Sequence, residues 1–177
     1  AMIDPLQAES GKYAELRALL ACLLAQGKKV IVFSQFVKFL KILQYDLIRE
    51  GTPHSYLDGA TKDRAREVRR FQEDPAVQVF LMSIKAGGVG LNLTAAEHVL
   101  LADPWWNPAV ERQAISRAHR LGQANPVLVS KFITKDSIEE KILHMQARKA
   151  RIAGEIIRTE EQYFKSLSQT DLRALFD

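Results

Sequence analysis

The stretch from Gln113 to Gln123 has residue types and a spacing that could act on a phosphate group. It reads Gln-Ala-Ile-Ser-Arg-Ala-His-Arg-Leu-Gly-Gln. In a helix that turns about 100° per residue, Gln113, Arg117 and Arg120 fall within roughly 60° of arc. Guanidinium groups fixed at the edge of a buried seam suit the stabilisation of charge on a transferring phosphoryl group. The apolar stripe that would form this seam consists of Val110, Ala114, Ala118 and Leu121.

An ordinary surface helix is the alternative, with arginines that pair with nearby carboxylates. It is the better interpretation of an isolated Arg-x-x-Arg pair, so the surrounding sequence has to decide. Four further segments precede the stretch, and they are Val30–Phe36, Tyr56–Thr61, Ser83–Thr94 and Asp103–Pro108. The third contains a cluster of glycines after a run typical of a strand, and glycine lets a backbone approach a phosphate closely. A glycine cluster alone indicates only a tight turn.

In this order and spacing, the five segments closely resemble the second motor lobe of the SWI/SNF-type ATPases, double-stranded DNA translocases of helicase superfamily 2. The likeness runs from about Ser10 to about Ile157. It implies ATP and Mg²⁺ as cofactors, with double-stranded DNA and an N-terminal RecA-like lobe of the same protein as partners. It implies that Arg117 and Arg120 act as arginine fingers on ATP held by that other lobe. The residues it places near the nucleotide are Gln113, Gly90 and Gln123.

The same resemblance implies a DNA-binding set in the loops after the strands, where parallel sheets bind ligands. Its members are Ser34, Gln35, Gly59, Thr61, Ser83, Lys85, Gly87, Gly88 and Trp106. Gln35 is also compatible with a simple strand-to-helix cap, and Thr61 would cap a helix under either interpretation. Two prolines flank Trp105 and Trp106, which favours exposure of both, although a tryptophan is more often buried in the core. Relatives generally carry one tryptophan here, which aligns with Trp106, so the resemblance places Trp106 at the DNA groove or between the two sites. Trp105 is expected to pack against the protein.

The sequence departs from the family pattern at two positions. Many relatives carry Arg where this chain has Lys85, and they often carry Asp where it has Ser116. Lysine keeps the charge at the first position but loses the bidentate geometry of a guanidinium. His119 lies between the arginines, but no partner stands at a spacing suited to a metal site or a general base, so no metal ligand is predicted.

Two motifs that hold a nucleotide are missing. The chain contains no Gly-x-x-x-x-Gly-Lys-Ser/Thr sequence and no Asp-Glu-x-His sequence, so the groups that hold the triphosphate and Mg²⁺ are expected on the other lobe. We therefore expect the isolated chain to be inactive as an ATPase. Two alternatives remain open: a non-catalytic platform that docks DNA or protein, and a lobe of an RNA helicase. The first predicts ATP-independent function, and the second predicts stimulation by single-stranded RNA.

Composition bounds the class of protein. A chain of 177 residues with 47% hydrophobic residues suits one domain with a sizeable core. The net charge of +4 weakly favours a polyanionic partner. The basic residues crowd two predicted helices, with Lys62, Arg64, Arg66, Arg69 and Arg70 in the first and Lys141, Arg148, Lys149 and Arg151 in the second. Either phosphate contact or a solvated helix face accounts for such a cluster.

The sequence predicts no membrane span, because no apolar run approaches about eighteen residues. No leader opens the chain, so an intracellular location is expected: the cytoplasm or nucleoid, or the nucleus in a eukaryote. Cys22 is the single cysteine and is expected to pack in the core, in a reducing compartment. The oligomeric state is left open.

The alternation of apolar runs with stretches of helical spacing predicts the α/β class. We expect a single RecA-like lobe, with a parallel sheet covered by helices on both faces. Residues 1–9 are expected to be a tag remnant or linker, residues 10–135 the lobe, and residues 136–177 a helical brace and tail.

Local signals predict where individual helices begin and end. Ser10 would cap the first helix, Thr61 the basic helix and Asn107 the helix of the arginines. Gly27 and Gly51 would end the first two helices. A buried stripe is expected on the brace helix, formed by Ile138, Ile142, Met145, Ile152 and Ile156.

Overall fold

The computed structural model describes residues 11–86, 91, 93–118 and 127–152, without the side chains of residues 117–118 and 148–152. The strands are β1 (Val30–Ser34), β2 (His54–Leu57), β3 (Val79–Ser83), β4 (His98–Leu101) and β5 (Leu128–Lys131). The helices are α1 (Gly11–Ala25), α2 (Val37–Arg49), α3 (Arg64–Glu73), α4 (Pro108–Ala118) and α5 (Ile138–Ile152). None of the described helices is long and apolar enough to cross a membrane.

The strands form one sheet in the order β2-β3-β1-β4-β5, and every pairing between neighbours is parallel. Ser34 at the end of β1 is in register with Ser83 at the end of β3. Phe33 is in register with Leu101 at the end of β4. The carboxyl ends of the three central strands therefore meet at one edge of the sheet. The predicted α/β class with a parallel sheet is confirmed.

Helices cover both faces of the sheet through two clusters of buried side chains. Along β1, Val30 points into one cluster and Ile31 into the other, since side chains alternate along a strand. The second cluster also contains Phe71 of α3 and Ala114 of α4. Because β1 is buried on both faces, its sequence is a continuous apolar run. The first cluster takes its helical residues from α1 and α2: Leu16, Leu20, Leu23, Leu40, Leu43 and Leu47.

In the described part of the chain, helical cover is thinnest at β5, the outermost strand of the sheet. Leu128 is 59% exposed and Val129 is 38% exposed, although they point to opposite faces. The predicted helices on both faces are confirmed, and the described residues leave the side chains of this strand only partly covered.

Three helix ends follow the local signals in the sequence. Gly27 after α1 has a φ of 72° and Gly51 after α2 has a φ of 66°, in the left-handed region that favours glycine. The side-chain oxygen of Asn107 accepts the backbone N–H of Ala109 at 3.0 Å, and a proline takes the first position of α4. These predictions are confirmed.

The prediction that Thr61 caps α3 is wrong. Asp63 caps this helix, because its side chain accepts the backbone N–H of Arg66 at 2.9 Å. The hydroxyl of Thr61 instead accepts the backbone N–H of Asp58 at 2.9 Å and donates to the carboxylate of Asp58 at 3.2 Å. Thr61 thus stabilises the turn after β2, and Asp63, which lies closer to α3, caps the helix. Ser10, the predicted cap of α1, lies outside the described residues.

Two residues predicted to be buried are exposed. Cys22 is exposed because it lies about 120° around α1 from the buried Leu16. Ile138 at the start of α5 is 40% exposed, whereas Ile142 and Met145 are buried as predicted. The other members of that predicted stripe lie outside the described side chains and are Ile152 and Ile156.

Candidate functional site

The carboxyl ends of β1 and β3 bring two of the predicted DNA-binding serines side by side. Ser34 and Ser83 are register partners and are 0% and 3% exposed. The hydroxyl of Ser34 donates to the carboxylate of Asp103 and accepts the backbone N–H of Phe36 at 3.0 Å. Ser34 therefore organises the turn after β1, and a ligand at this edge of the sheet would meet that turn.

Asp103 is a buried acid at this edge and was not among the site residues predicted from the sequence. It follows the end of β4, is 2% exposed, and accepts the backbone N–H of Gln35 at 3.0 Å as well as the hydroxyl of Ser34. Burial raises the pKa of Asp103, and the hydrogen bonds from Ser34 and Gln35 oppose that rise without cancelling it. Its position just after β4 was the signal that could have identified it, because the carboxyl ends of neighbouring parallel strands lie at the same edge of the sheet.

The segment of residues 103–107, called the linking segment below, joins this edge to α4. The side-chain amide of Gln35 donates to the carbonyl oxygen of Pro104 at 3.1 Å, in addition to the bonds from Ser34 and Gln35 to Asp103. At its other end, Asn107 caps α4. One short segment therefore contacts predicted DNA-binding residues and begins the helix of the arginines.

The turn after β2 contains the predicted Gly59 and Thr61. Gly59 is exposed, and a side chain at this position would meet no atom within 4 Å. The carboxylate of Asp58 accepts the Ala60 backbone N–H at 2.9 Å, the Tyr56 hydroxyl at 3.0 Å and the Thr61 hydroxyl. The pKa of Asp58 lies below its usual value. Burial alone would raise it, but the combined effect of these hydrogen bonds and a nearby lysine is larger. Hydrogen bonds within the turn thus stabilise it and leave the backbone of Gly59 accessible.

Lys85 follows β3 and precedes the glycines of the Ser83–Thr94 segment, which is called the glycine-rich loop below. Its side chain is exposed, and its Nζ lies 5.8 Å from the centre of the Trp105 ring, at the outer limit of a cation–π contact. An ammonium group here can reach a ligand over the edge of the sheet. Gly87, Gly88 and Gly90 lie outside the described residues, so their roles stay predictions.

Helix α3 holds the chain on both sides of the glycine-rich loop. Before the glycines, the guanidinium of Arg64 donates to the carbonyl oxygen of Ala86 at 3.3 Å. After them, the side-chain amide of Gln72 donates to the Thr94 hydroxyl at 3.3 Å and accepts the Ala95 backbone N–H at 2.7 Å. Arg64 therefore has a structural contact. The rest of the basic cluster is exposed and consists of Lys62, Arg66, Arg69 and Arg70.

The two tryptophans of the linking segment differ in their surroundings. Trp105 is 1% exposed, which confirms that it packs against the protein. Trp106 is half-buried rather than exposed, because it packs against Ile142 and Met145 of α5. A contact between Trp106 and DNA stays a prediction.

Helix α4 contains the described part of the predicted nucleotide side. Gln113 is exposed, and Ala114 of the predicted apolar stripe is 4% exposed. The backbone is helical to the end of α4, so Arg117 lies one turn after Gln113 on the same helix. The predicted residues beyond this helix lie outside the described part of the chain and are Arg120 and Gln123.

The described site presents the accessible backbone of Gly59 and the ammonium group of Lys85 along one edge of the sheet, with the hydroxyl groups of Ser34 and Ser83 buried behind them. Groups of this kind contact phosphates and sugars without reading bases. Among the described residues, no cluster of three or more His, Cys, Asp or Glu side chains could hold a metal ion.

The sequence is similar to helicase C-terminal domains. The profile of the helicase conserved C-terminal domain matches residues 11–122. DNA repair protein RAD5B of Arabidopsis thaliana is 46% identical over 175 residues, which are 95% of this chain and 13% of that protein. DNA repair protein rad8 of Schizosaccharomyces pombe is 43% identical over 156 residues, which are 86% of this chain and 14% of that protein. The chain thus spans less than a fifth of the length of these curated relatives.

Solved structures share the fold. The C-terminal part of the Fun30 ATPase domain matches 99% of this chain and 55% of its own, with a TM-score of 0.80 and 34% identity. The C-terminal domain of the Sulfolobus solfataricus SWI2/SNF2 ATPase matches 97% of this chain and 71% of its own, with a TM-score of 0.70 and 32% identity. The core of that ATPase in complex with double-stranded DNA matches 98% of this chain and 37% of its own, with a TM-score of 0.77 and 31% identity.

Proposed function

This chain belongs to the family of helicase C-terminal domains, as a C-terminal lobe of the SWI2/SNF2 type, and we propose that it is the second motor lobe of an ATP-driven translocase on double-stranded DNA. ATP and Mg²⁺ would bind to an N-terminal RecA-like lobe of the same protein. This chain would supply arginine fingers to that ATP and part of the contact with DNA, and it would not hydrolyse ATP alone. It would act where duplex DNA lies, in the nucleoid or the nucleus.

The linking segment is the observation that carries the proposal. Asp103 at its start binds Ser34 and Gln35, and Asn107 at its end caps α4. Proline restricts backbone rotation, and Pro104 lies within the segment. A displacement of the turn after β1 would therefore be passed to α4. Such a connection is what a motor needs if nucleotide and DNA are to affect one another.

The proposed DNA contact uses the edge of the sheet. Ser34, Ser83, Lys85 and the backbone of Gly59 lie at or beside the carboxyl ends of β1, β2 and β3. Polar and cationic groups of this kind bind the phosphate backbone, so the contact would be largely independent of base sequence and sensitive to salt.

The proposed contribution to hydrolysis comes from α4 and the residues after it. ATP would bridge the two lobes, with Arg117 and Arg120 at its terminal phosphates. Hydrolysis would remove the bridge and let the lobes separate, and alternating contact with DNA would advance the protein along the duplex. In related phosphoryl-transfer enzymes, an arginine finger contributes about 10³–10⁵ to the rate.

Arginine substitution in the intact protein tests this assignment. Arg120→Ala should abolish ATP turnover stimulated by duplex DNA, while retention of DNA stays within about twofold of the unaltered protein. Arg112→Ala is the matched control, because Arg112 is exposed on the same helix about 140° from Arg117 and should be replaceable without effect.

Three outcomes would contradict the proposal. Equal losses of turnover and of DNA retention in Arg120→Ala would refute the division of labour. Turnover that survives both Arg117→Ala and Arg120→Ala would favour a docking platform without catalytic function. Stronger stimulation by single-stranded RNA than by duplex DNA would favour an RNA helicase.

A further inference from the structure

Glu111 is a buried carboxylate that neither the DNA contact nor the arginine fingers explain. It lies in the first turns of α4 and is 1% exposed. Carboxylates are seldom buried to this degree unless they are paired, because removing a charge from water is costly. The partners of Glu111 therefore decide what its burial does.

Two elements outside α4 provide those partners. The Nζ of Lys131 on β5 lies 2.8 Å from one oxygen of Glu111, in an ion pair that is not aligned as a hydrogen bond. The side-chain amide of Gln146 on α5 lies 3.5 Å from the other oxygen, and it also donates to the carbonyl oxygen of Trp105 in the linking segment. One carboxylate thus joins α4 to β5, and through Gln146 to α5 and the linking segment.

This arrangement determines the rotation of α4 about its own axis. Glu111 and Gln113 lie about 160° apart around the helix, and Gln113 and Arg117 about 40° apart. With Glu111 held inward, Gln113 is turned outward, in agreement with its exposure, and the backbone of Arg117 lies one helical turn after it. An apolar side chain could pack in the same place, but it would not bind two separate polar partners.

We propose that Glu111 is a positioning residue for ATP hydrolysis, which aims the arginine face of α4 through its contacts with Lys131 and Gln146. The inference rests on the proposed function, since it needs the arginines to act on ATP. It adds that β5 and α5 set the orientation of α4, although neither would touch the nucleotide.

The test compares variants of the intact protein in ATP turnover with duplex DNA. Glu111→Gln keeps the size of the side chain and removes its charge, and it should lower kcat by about ten- to a hundredfold, with KM for ATP and duplex binding little changed. Lys131→Gln should give a similar loss. The double variant should lose little more than either single one, because both changes remove the same contact. Lys131→Arg should restore turnover.

Glu139→Gln is the matched control. Glu139 also lies on α5 and pairs with Lys12 of α1, so its replacement weakens a charged contact of the same helix without touching α4. It should change the melting temperature but not kcat. Lys131→Gln remains informative if Glu111→Gln fails to fold, because the side chain of Lys131 is 37% exposed.

The possible failures are distinguishable. If Glu111→Gln and Lys131→Gln change only the melting temperature, as Glu139→Gln does, while Arg120→Ala is inactive, the positioning role is wrong and the proposed function stands. If Arg120→Ala retains full turnover, the proposed function itself fails. A loss of kcat in Lys131→Gln that Lys131→Arg does not restore would also overturn the positioning role.

Discussion

Replacing Ser34 with alanine should destabilise the chain measurably, because its hydroxyl makes contacts inside the fold before any ligand is bound. The change leaves a carboxylate oxygen of Asp103, which is 2% exposed, without the hydrogen bond from Ser34. An unsatisfied buried acceptor costs about 1–3 kcal/mol. In a chain of 177 residues, each kcal/mol lowers the melting temperature by roughly 2–4 °C, so the expected fall is about 2–12 °C.

Thermal unfolding of the isolated chain, followed by circular dichroism at neutral pH, measures this effect. Ser83→Ala is the matched control, since Ser83 is 3% exposed and lies in register with Ser34. In the described part of the chain, the hydroxyl of Ser83 makes no hydrogen bond to a carboxylate, so its removal should cost less. If Ser34→Ala lowers the melting temperature no more than Ser83→Ala, the contact with Asp103 does not hold the turn and the reasoning is refuted.

Two further predictions concern the same edge of the sheet. Asp103→Asn should make the free energy of unfolding less dependent on pH, because burial raises the pKa of Asp103 in the folded chain. The stability that this carboxyl group contributes is complete below the usual aspartate pKa and is lost as the pH rises through the folded pKa. The unaltered chain should therefore lose melting temperature relative to this variant as the pH rises from below the usual aspartate pKa through the raised value, and a constant difference would contradict this. Lys85→Gln in the intact protein should weaken duplex binding and reduce the slope of log affinity against log salt by about one, whereas Lys85→Arg should keep the slope. An unchanged slope in Lys85→Gln would show that Lys85 does not contact a phosphate.

Signals contained in a few neighbouring residues predicted much of the fold. The apolar run of β1 is typical of a strand buried on both faces, because such a strand lacks polar alternation. Gly27 and Asn107 predicted helix ends, since each acts through its own backbone or a bond to a residue two positions away. The order of several such motifs was specific enough to identify the family from sequence.

Features that depend on contacts between residues far apart in the sequence were not predicted. Asp103 and Ser34 stand 69 residues apart, and nothing local marks their contact. Nothing local marks Glu111 for burial, because the neighbouring Arg112 is exposed and charged side chains usually face the solvent. Its burial depends on Lys131 and Gln146, in elements that follow much later in the chain. The prediction for Cys22 was wrong for a local reason. Apolar residues occur on all sides of α1, so the sequence does not show which face of this helix is buried.

The contacts of α3 with both flanks of the glycine-rich loop have a mechanical consequence. Arg64 near the first turn holds Ala86, and Gln72 near the last turn holds Thr94 and Ala95. A tensile force on the chain between these points would be shared by both ends of one helix, rather than falling on β3 alone. Helix α3 would then distribute the load over the sheet, which would suit the proposed translocase.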